Sequence, residues 1–226
     1  MPQIDLDTSS VRELNAALHA EGASLSETWS ISNSKGRHNI ACGLDGAFNI
    51  NVKGHVGYYF AGMNKTAKLT VEGNCGVGVA ENIMSGTVRI KGDASQSAGA
   101  TGCGGLLVIE GNASARCGIS IKGIDIVIGG SVGHMACFMG QAGRLVICGD
   151  AGDALGDSIY EARIYLRGSV KSLGADCIEK DMGAEHEQEL AELLNRAGLP
   201  FDVTEFTRYG SARQLYNFDI DNVSEY

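Results

Sequence analysis

Four carboxylates, Asp150, Asp153, Asp157 and Glu161, fall within twelve residues of one another. If they converged on one point, they would suit general acid–base work, with one group protonated and another ionised. His55 and His134 offer imidazoles for a paired metal site. Seven cysteines offer thiols, but the count is odd and no two stand as C-x-x-C. There is no Gly-x-Ser-x-Gly elbow for a nucleophilic serine and no Walker phosphate loop. Gly76-Val77-Gly78 lacks the third glycine and the strand-to-helix context of a dinucleotide fingerprint.

Whether such groups meet depends on the elements that carry them, and one spacing governs those. Gly54, Gly73, Gly92, Gly111, Gly130, Gly149 and Gly168 recur every nineteen residues without a slip. A period near this length means coils stacked on copies of themselves. Four residues before each marker stand Ile50, Leu69, Val88, Leu107, Ile126, Leu145 and Ile164. Two before it stand Val52, Val71, Ile90, Ile109, Ile128, Ile147 and Leu166. The positions between vary: Asn51, Thr70, Arg89 and Val108 in one column, Lys53, Glu72, Lys91 and Glu110 in the next. Such alternation means a strand with one face buried. Two and seven residues after the marker the side chains are small (Cys75, Ala94, Ala113; Ala80, Gly99, Gly118), which implies tight corners or a narrow interior. The marker glycine is expected to supply φ > 0 at a bend between strands. Stacked about 4.7–4.9 Å apart, the seven coils make a body about 29 Å long.

In this frame the reactive groups scatter. The four carboxylates fall one, four, eight and twelve residues after Gly149, spread around a coil. His55 and His134 sit at different phases, and His19, His38 and His186 lie outside the regular coils. Cys75, Cys117, Cys137 and Cys148 occupy four different phases, as buried structural thiols would. Glu81, Asn82, Thr101 and Ser120 lie eight or nine residues after their markers, on neighbouring coils. They read as a stacked hydrogen-bonded ladder, with a partner-facing strip as the other reading.

Composition narrows the class further. A net charge of −9 argues against general nucleic-acid binding. The N-terminus has no basic and apolar regions of a secretory signal, and no apolar run approaches membrane-spanning length, so the expected location is the cytoplasm. Residues 1–26 form a helical cap, with Ser10-Val11-Arg12-Glu13 as a capping box and Leu14, Ala17 and Leu18 on one face. Extending the frame backward puts Ile31 in phase but Asn33 and Arg37 on buried columns, which reads as a degraded terminal coil. Coils occupy residues 27–178, and the stack stops near Cys177. Residues 179–226 hold a helix from Ala184 to Ala197, stopped by Gly198 and Pro200. They end in an aromatic tail with Phe206, Tyr209, Leu215, Tyr216, Phe218 and Tyr226, which either packs back on the stack or binds a partner.

The glycine spacing carries a specific resemblance. Gly73-x-x-Gly76-x-Gly78, Met84-Ser85-Gly86-Thr87-Val88, Gly102-x-Gly104-Gly105 and Gly149-Asp150-Ala151-Gly152 resemble the GXGXG β-helix. That domain ends the glutamate synthase large subunit and also occurs in the formylmethanofuran dehydrogenase C subunit. Val56-Gly57-Tyr58-Tyr59, Ala61-Gly62-Met63-Asn64, Gly118 to Asp125, Ser172 to Lys180 and Arg208 to Arg213 resemble, nearly end to end, the stand-alone GXGXG subunits of bacterial N-methylglutamate synthase. The resemblance implies an all-β, right-handed parallel β-helix of about seven coils with short helical appendages. It implies a scaffold in a hetero-oligomer, joining an amidotransferase-like subunit to an FMN-binding glutamate-synthase-like subunit. FMN, with or without an iron–sulfur cluster, would sit on that partner. The complex would convert methylamine and glutamate to N-methylglutamate and ammonia. No catalytic, cofactor-binding or metal residue is implied on this chain, and neither nucleic acid nor membrane is an expected partner. The alternatives are a subunit of glutamate synthase proper, a subunit of a formylmethanofuran-type redox complex, and a self-contained enzyme acting at the Asp150–Glu161 strip.

Overall fold

The computed structural model describes residues 1–213. Its elements are β1 (Gln3–Asp5), α1 (Val11–Leu18), β2 (Thr28–Ser32), β3 (Asn49–Lys53), β4 (Lys68–Glu72), β5 (Thr87–Ile90), β6 (Leu106–Ile109), β7 (Lys122–Ile128), β8 (Ala142–Ile147), β9 (Arg163–Leu166), β10 (Cys177–Lys180), α2 (Ala184–Ala197) and β11 (Thr207–Ser211). Strands β2 to β9 form one parallel ladder, so the chain winds a parallel β-solenoid of seven turns between them. From β3 onward each strand pairs nineteen residues ahead, as Ile50 with Leu69 and Leu145 with Ile164. All fourteen side chains of the two aliphatic columns are buried, at 2% exposure or less. The small column two residues after the marker forms its own line of parallel bridges, Val56 to Cys75 and on to Ala151 with Val170.

The marker glycines do a different job from the one expected. Only Gly54 has a positive φ among the seven, at 96°. The others are required by space. A Cβ on Gly73 would lie 2.7 Å from the carbonyl oxygen of Gly54, and one on Gly168 would lie 2.5 Å from that of Gly149. Coil stacks on coil so closely there that only hydrogen fits. Left-handed backbone occurs instead five, seven and nine residues after the marker, as at Ser97, Gly99 and Thr101 (φ 60°, 68° and 55°) and again at Arg116, Gly118 and Ser120. Most of these are not glycine, and αL costs an L-residue roughly 1–2 kcal/mol. Bonds in both directions hold the arc: Ser97 N–H donates forward to Ala115 O, Gly99 N–H backward to Val79 O, and Thr101 N–H forward to Ile119 O.

At the N-terminal end, β2 pairs Trp29 with Ile50 and Ile31 with Val52, an offset of twenty-one residues rather than nineteen. The turn from β2 to β3 is therefore complete and two residues longer, not a degraded one; stepping back by nineteen misplaces Ile31 by one inward position. Its arc repeats the left-handed pattern at Asn39, Ala41 and Gly43. The cap is more than a helix, because β1 adds a parallel strand beyond β2. In α1, Ser10 Oγ accepts from Glu13 N–H at 3.2 Å, and Ser10 N–H donates to Glu13 Oε2 at 2.7 Å, completing the capping box. Leu6, Leu14 and Leu18 are buried against the first coil.

At the C-terminal end the parallel ladder stops at β9. Strand β11 pairs antiparallel with β9 on one side and β10 on the other. Helix α2 spans Ala184–Ala197 with Gly198 left-handed at its C-cap, as its sequence requires. It lies on the outer face of the sheet. Leu190, Leu193, Leu194 and Ala197 bury themselves against Leu106, Val108, Val127, Val146 and Tyr165, joined by Phe206. This second core went unread in the sequence. Its signal was the outward column changing from Asn51, Thr70 and Arg89 to Val108, Val127, Val146 and Tyr165. Phe206 and Tyr209 pack back on the stack, while Leu215, Tyr216, Phe218 and Tyr226 lie outside the described residues. Among the described residues no helix is long and apolar enough to cross a membrane.

Candidate docking surface

The polar residues that recur on every coil are used between coils. Immediately after each marker stand His55, Asn74, Asp93, Asn112, Ser131, Asp150 and Ser169. His55 Nδ1 accepts from Asn74 N–H at 2.9 Å, Asn74 Oδ1 from Asp93 N–H at 2.9 Å, and Asp93 Oδ1 from Asn112 N–H at 2.7 Å. The rungs continue through Asn112 and Ser131 to Asp150, which accepts from Ser169 N–H at 2.7 Å. The Ser169 bonds hold the Asp150 carboxyl below its usual range. The expected ladder at Glu81, Asn82, Thr101 and Ser120 has one side-chain rung, Thr101 Oγ1 to Asn82 Oδ1 at 2.7 Å. The phase was wrong because that arc spends its backbone, rather than its side chains, on the neighbouring coils.

The four sequence-adjacent carboxylates part company. Asp150 is a ladder rung, and Asp153 pairs with Lys171 at 2.7 Å. Asp157 accepts from Ser158 Oγ at 2.8 Å, and Glu161 sits beside Arg163 in a surface hollow. His55 belongs to the ladder, and no described group of three His, Cys, Asp or Glu is placed to hold a metal ion. The cysteines are unpaired; burial pushes the Cys75 and Cys117 thiols up to about 12.

One charged cluster does converge, and it clamps α2. Asp125, nearly buried, receives Arg144 on both oxygens and Arg196 of α2 at 2.9 Å. Glu189 of α2 accepts from Arg144 at 3.0 Å, Arg163 at 2.7 Å and the Tyr165 hydroxyl at 2.5 Å. At the far end of the helix Arg89 donates to the carbonyl of Ala197 at 2.8 Å, a cation on the negative end of the dipole. Beside the clamp lies an open hollow of about 550 Å³, floored by Gly123, Ala142 and Gly143 and flanked by Arg144 and Arg163. A register irregularity in β7, between Lys122 and Asp125, shapes its floor.

Helix α2 covers the later strands and reaches β5 only through Arg89, so β2 to β4 leave an open sheet face. On β3 to β5 and the residue after, that face carries Lys53, Lys68, Arg89 and Lys91 against one carboxylate, Glu72. This is a basic patch on a chain of net charge −9. A groove of about 480 Å³ runs over it, and Asn51 Oδ1 is buried there with no partner among the described residues. On the arc of the early coils, Tyr58, Tyr59, Met63 and Met84 stand 45–55% exposed. Tyr and Met are residue types enriched at protein–protein interfaces.

No protein-family model matches the chain, and no solved structure does. Among curated proteins, Protein GlxC of Rhizobium meliloti (strain 1021) is 60% identical over 229 aligned residues, which cover 100% of both chains. With the solenoid, its cap and its tail all inside that match, the chain belongs to the GlxC family.

Proposed function

We propose that this chain is the β-helical scaffold subunit of a glutamate-synthase-like complex of the N-methylglutamate synthase type. Its role is to hold an amidotransferase-like subunit and an FMN-dependent synthase subunit at a fixed separation. The observation that carries this reading is where the polar groups go. Those that recur are spent between coils, and those that converge fasten α2, while regular sheet and an aromatic arc stay open. The glycine spacing that resembles the GXGXG subunits supports the identity of the complex, and the 60% identity to Protein GlxC is consistent with a glutamate-synthase-like subunit. Flavin and the transfer of methylamine to glutamate belong to the partners in this reading.

Co-expression with the two candidate partners tests it. The expected outcome is one stable complex that carries flavin and forms N-methylglutamate from methylamine and glutamate. A chain that elutes alone, beside partners that are active without it, contradicts the scaffold role.

A further inference from the structure

We propose that this chain pairs with a second copy of itself through the outer edge of β10, antiparallel strand to strand, with Ile178 at the two-fold axis. This concerns the isolated chain and goes beyond the partner reading.

The two ends of the sheet are finished differently. At the β1 end the chain turns back on itself. The Asp5 carbonyl accepts from Thr8 N–H and Ser9 N–H, and the Asp5 carboxylate accepts from Asp7 N–H at 2.9 Å. Helix α1 then caps the first arc: Asn15 Oδ1 accepts from Ala41 N–H and Asn15 Nδ2 donates to Asn39 O. At the other end β10 is the last strand, and among the described residues none pairs beyond it. An edge left in this way is a template for another strand.

One bond fixes which backbone groups that edge offers. Ala212 N–H donates to Asp176 O at 2.7 Å, so Asp176 turns its backbone carbonyl toward β11. Alternation along the strand then turns the backbone groups of Ile178 and Lys180 toward β11 and those of Cys177 and Glu179 away from it. Cys177 N–H is engaged with Gly174 O at 3.3 Å. The outward edge therefore offers Cys177 C=O and both backbone groups of Glu179. Side chains alternate between faces. Glu179 lies opposite Tyr209, which lies opposite the inward Ile164, so Cys177 and Glu179 are on the inner face. Ile178 and Lys180 are on the outer face, and Ile178 is 42% exposed.

Register selects a second copy as the occupant. A two-fold axis perpendicular to the sheet sets each residue opposite one on the same face. Centred on Ile178, it makes Ile178 face Ile178 of the second copy as a non-hydrogen-bonded pair, the closer kind. Each Glu179 N–H then meets Cys177 C=O of the second copy, and each Lys180 stands opposite Asp176 of the second copy. Centred on Glu179 instead, two carboxylates would face each other, which is destabilising. Only the first register joins apolar to apolar and cation to carboxylate.

Light scattering of the purified full chain, combined with cysteine trapping, tests the proposal. The expected mass is twice the 23.7 kDa of one chain. Glu179→Pro removes an outward N–H that the β10–β11 ladder does not use, so the variant should fold with an unchanged far-UV spectrum and run as a single chain. Ile178→Asp, at an exposed position, should raise the dimer Kd by about tenfold. Ile178→Cys should give a disulfide-linked dimer on oxidation, in a Cys103→Ser background because Cys103 is exposed. A wild-type chain that stays single at its highest soluble concentration overturns the proposal. So does a dimer that both Glu179→Pro and Ile178→Asp leave intact. A dimer in which Ile178→Cys fails to cross-link overturns the register.

Discussion

Arg144 grips Asp125 from one coil further along, with Nε on Oδ1 at 2.6 Å and Nη2 on Oδ2 at 2.8 Å. The two occupy the same outward column, nineteen residues apart, and the pair is what α2 fastens onto through Arg196 and Glu189. Asp125→Asn keeps the shape and removes the charge, leaving Arg144 and Arg196 facing a neutral amide. The expected loss is about 3 kcal/mol, the low end for breaking a buried pair, because both guanidiniums keep water on one side. Urea unfolding with an unchanged slope measures it.

The same cluster makes stability depend on acid. Burial pushes the Glu189 carboxyl up, but the Tyr165 hydroxyl and the guanidiniums of Arg163 and Arg144 outweigh it and hold it below its ordinary 4.5. A depressed carboxylate adds stability above its unfolded value and loses it as pH falls through the folded value. The thermal midpoint should therefore drop as pH falls below about 4.5. Tyr165→Phe removes one donor, so the drop should begin at higher pH. The variant should also be less stable at neutral pH by about 1.5 kcal/mol, the worth of a hydrogen bond to a charged group.

Glycine substitutions separate space from backbone conformation. A Cβ at Gly111 would lie 2.4 Å from Asp93 Oδ1 and 2.9 Å from Gly92 O, in ordinary backbone conformation. At Gly198 it would meet nothing within 4 Å, but φ is 67°. Gly111→Ala should cost about 1–3 kcal/mol by overpacking and disturb the neighbouring ladder rung as well. Gly198→Ala should cost about 1 kcal/mol through αL strain alone, with the sheet unaffected. Amide exchange along β5 and β6 distinguishes the two: faster in the first variant and unchanged in the second.

Asn64 is fully buried and ties two coils together. Its Nδ2 donates to Ala67 O and Ser85 O, both at 3.0 Å, and its Oδ1 accepts from Ala67 N–H at 3.1 Å. Asn64→Leu leaves Ser85 O and Ala67 N–H without partners, while Ala67 O keeps the Thr87 N–H, at a cost of about 3 kcal/mol. Asn64→Asp should fall between the two, keeping the acceptor and losing the donors. Denaturant midpoints rank the three.

The inward columns were legible because burial on a repeating strand admits few residue types, and each position repeats its test seven times. The ends of α2 were legible for a different reason: Gly198 and Pro200 are local stops. The marker glycines misled because a period records that glycine is needed without saying whether φ or space requires it. The +1 ladder was present in the sequence, since every residue from His55 to Ser169 in that column bears a side-chain acceptor. The clamp was not, because Asp125 and Arg196 stand seventy-one residues apart and only the fold brings them together.

The close stacking at the marker glycines makes the molecule a ruler with fixed graduations. Each turn advances by one strand spacing, about 4.8 Å, and repeats the same faces. The turn from β3 to β4 lies clear of both α2 and the N-terminal cap, whereas β5 meets α2 through Arg89. Removing one such nineteen-residue unit would bring whatever is bound at the two ends nearer by a single graduation without rotating either. In the scaffold reading proposed above, the number of turns would set the distance between the two partners in whole strand spacings.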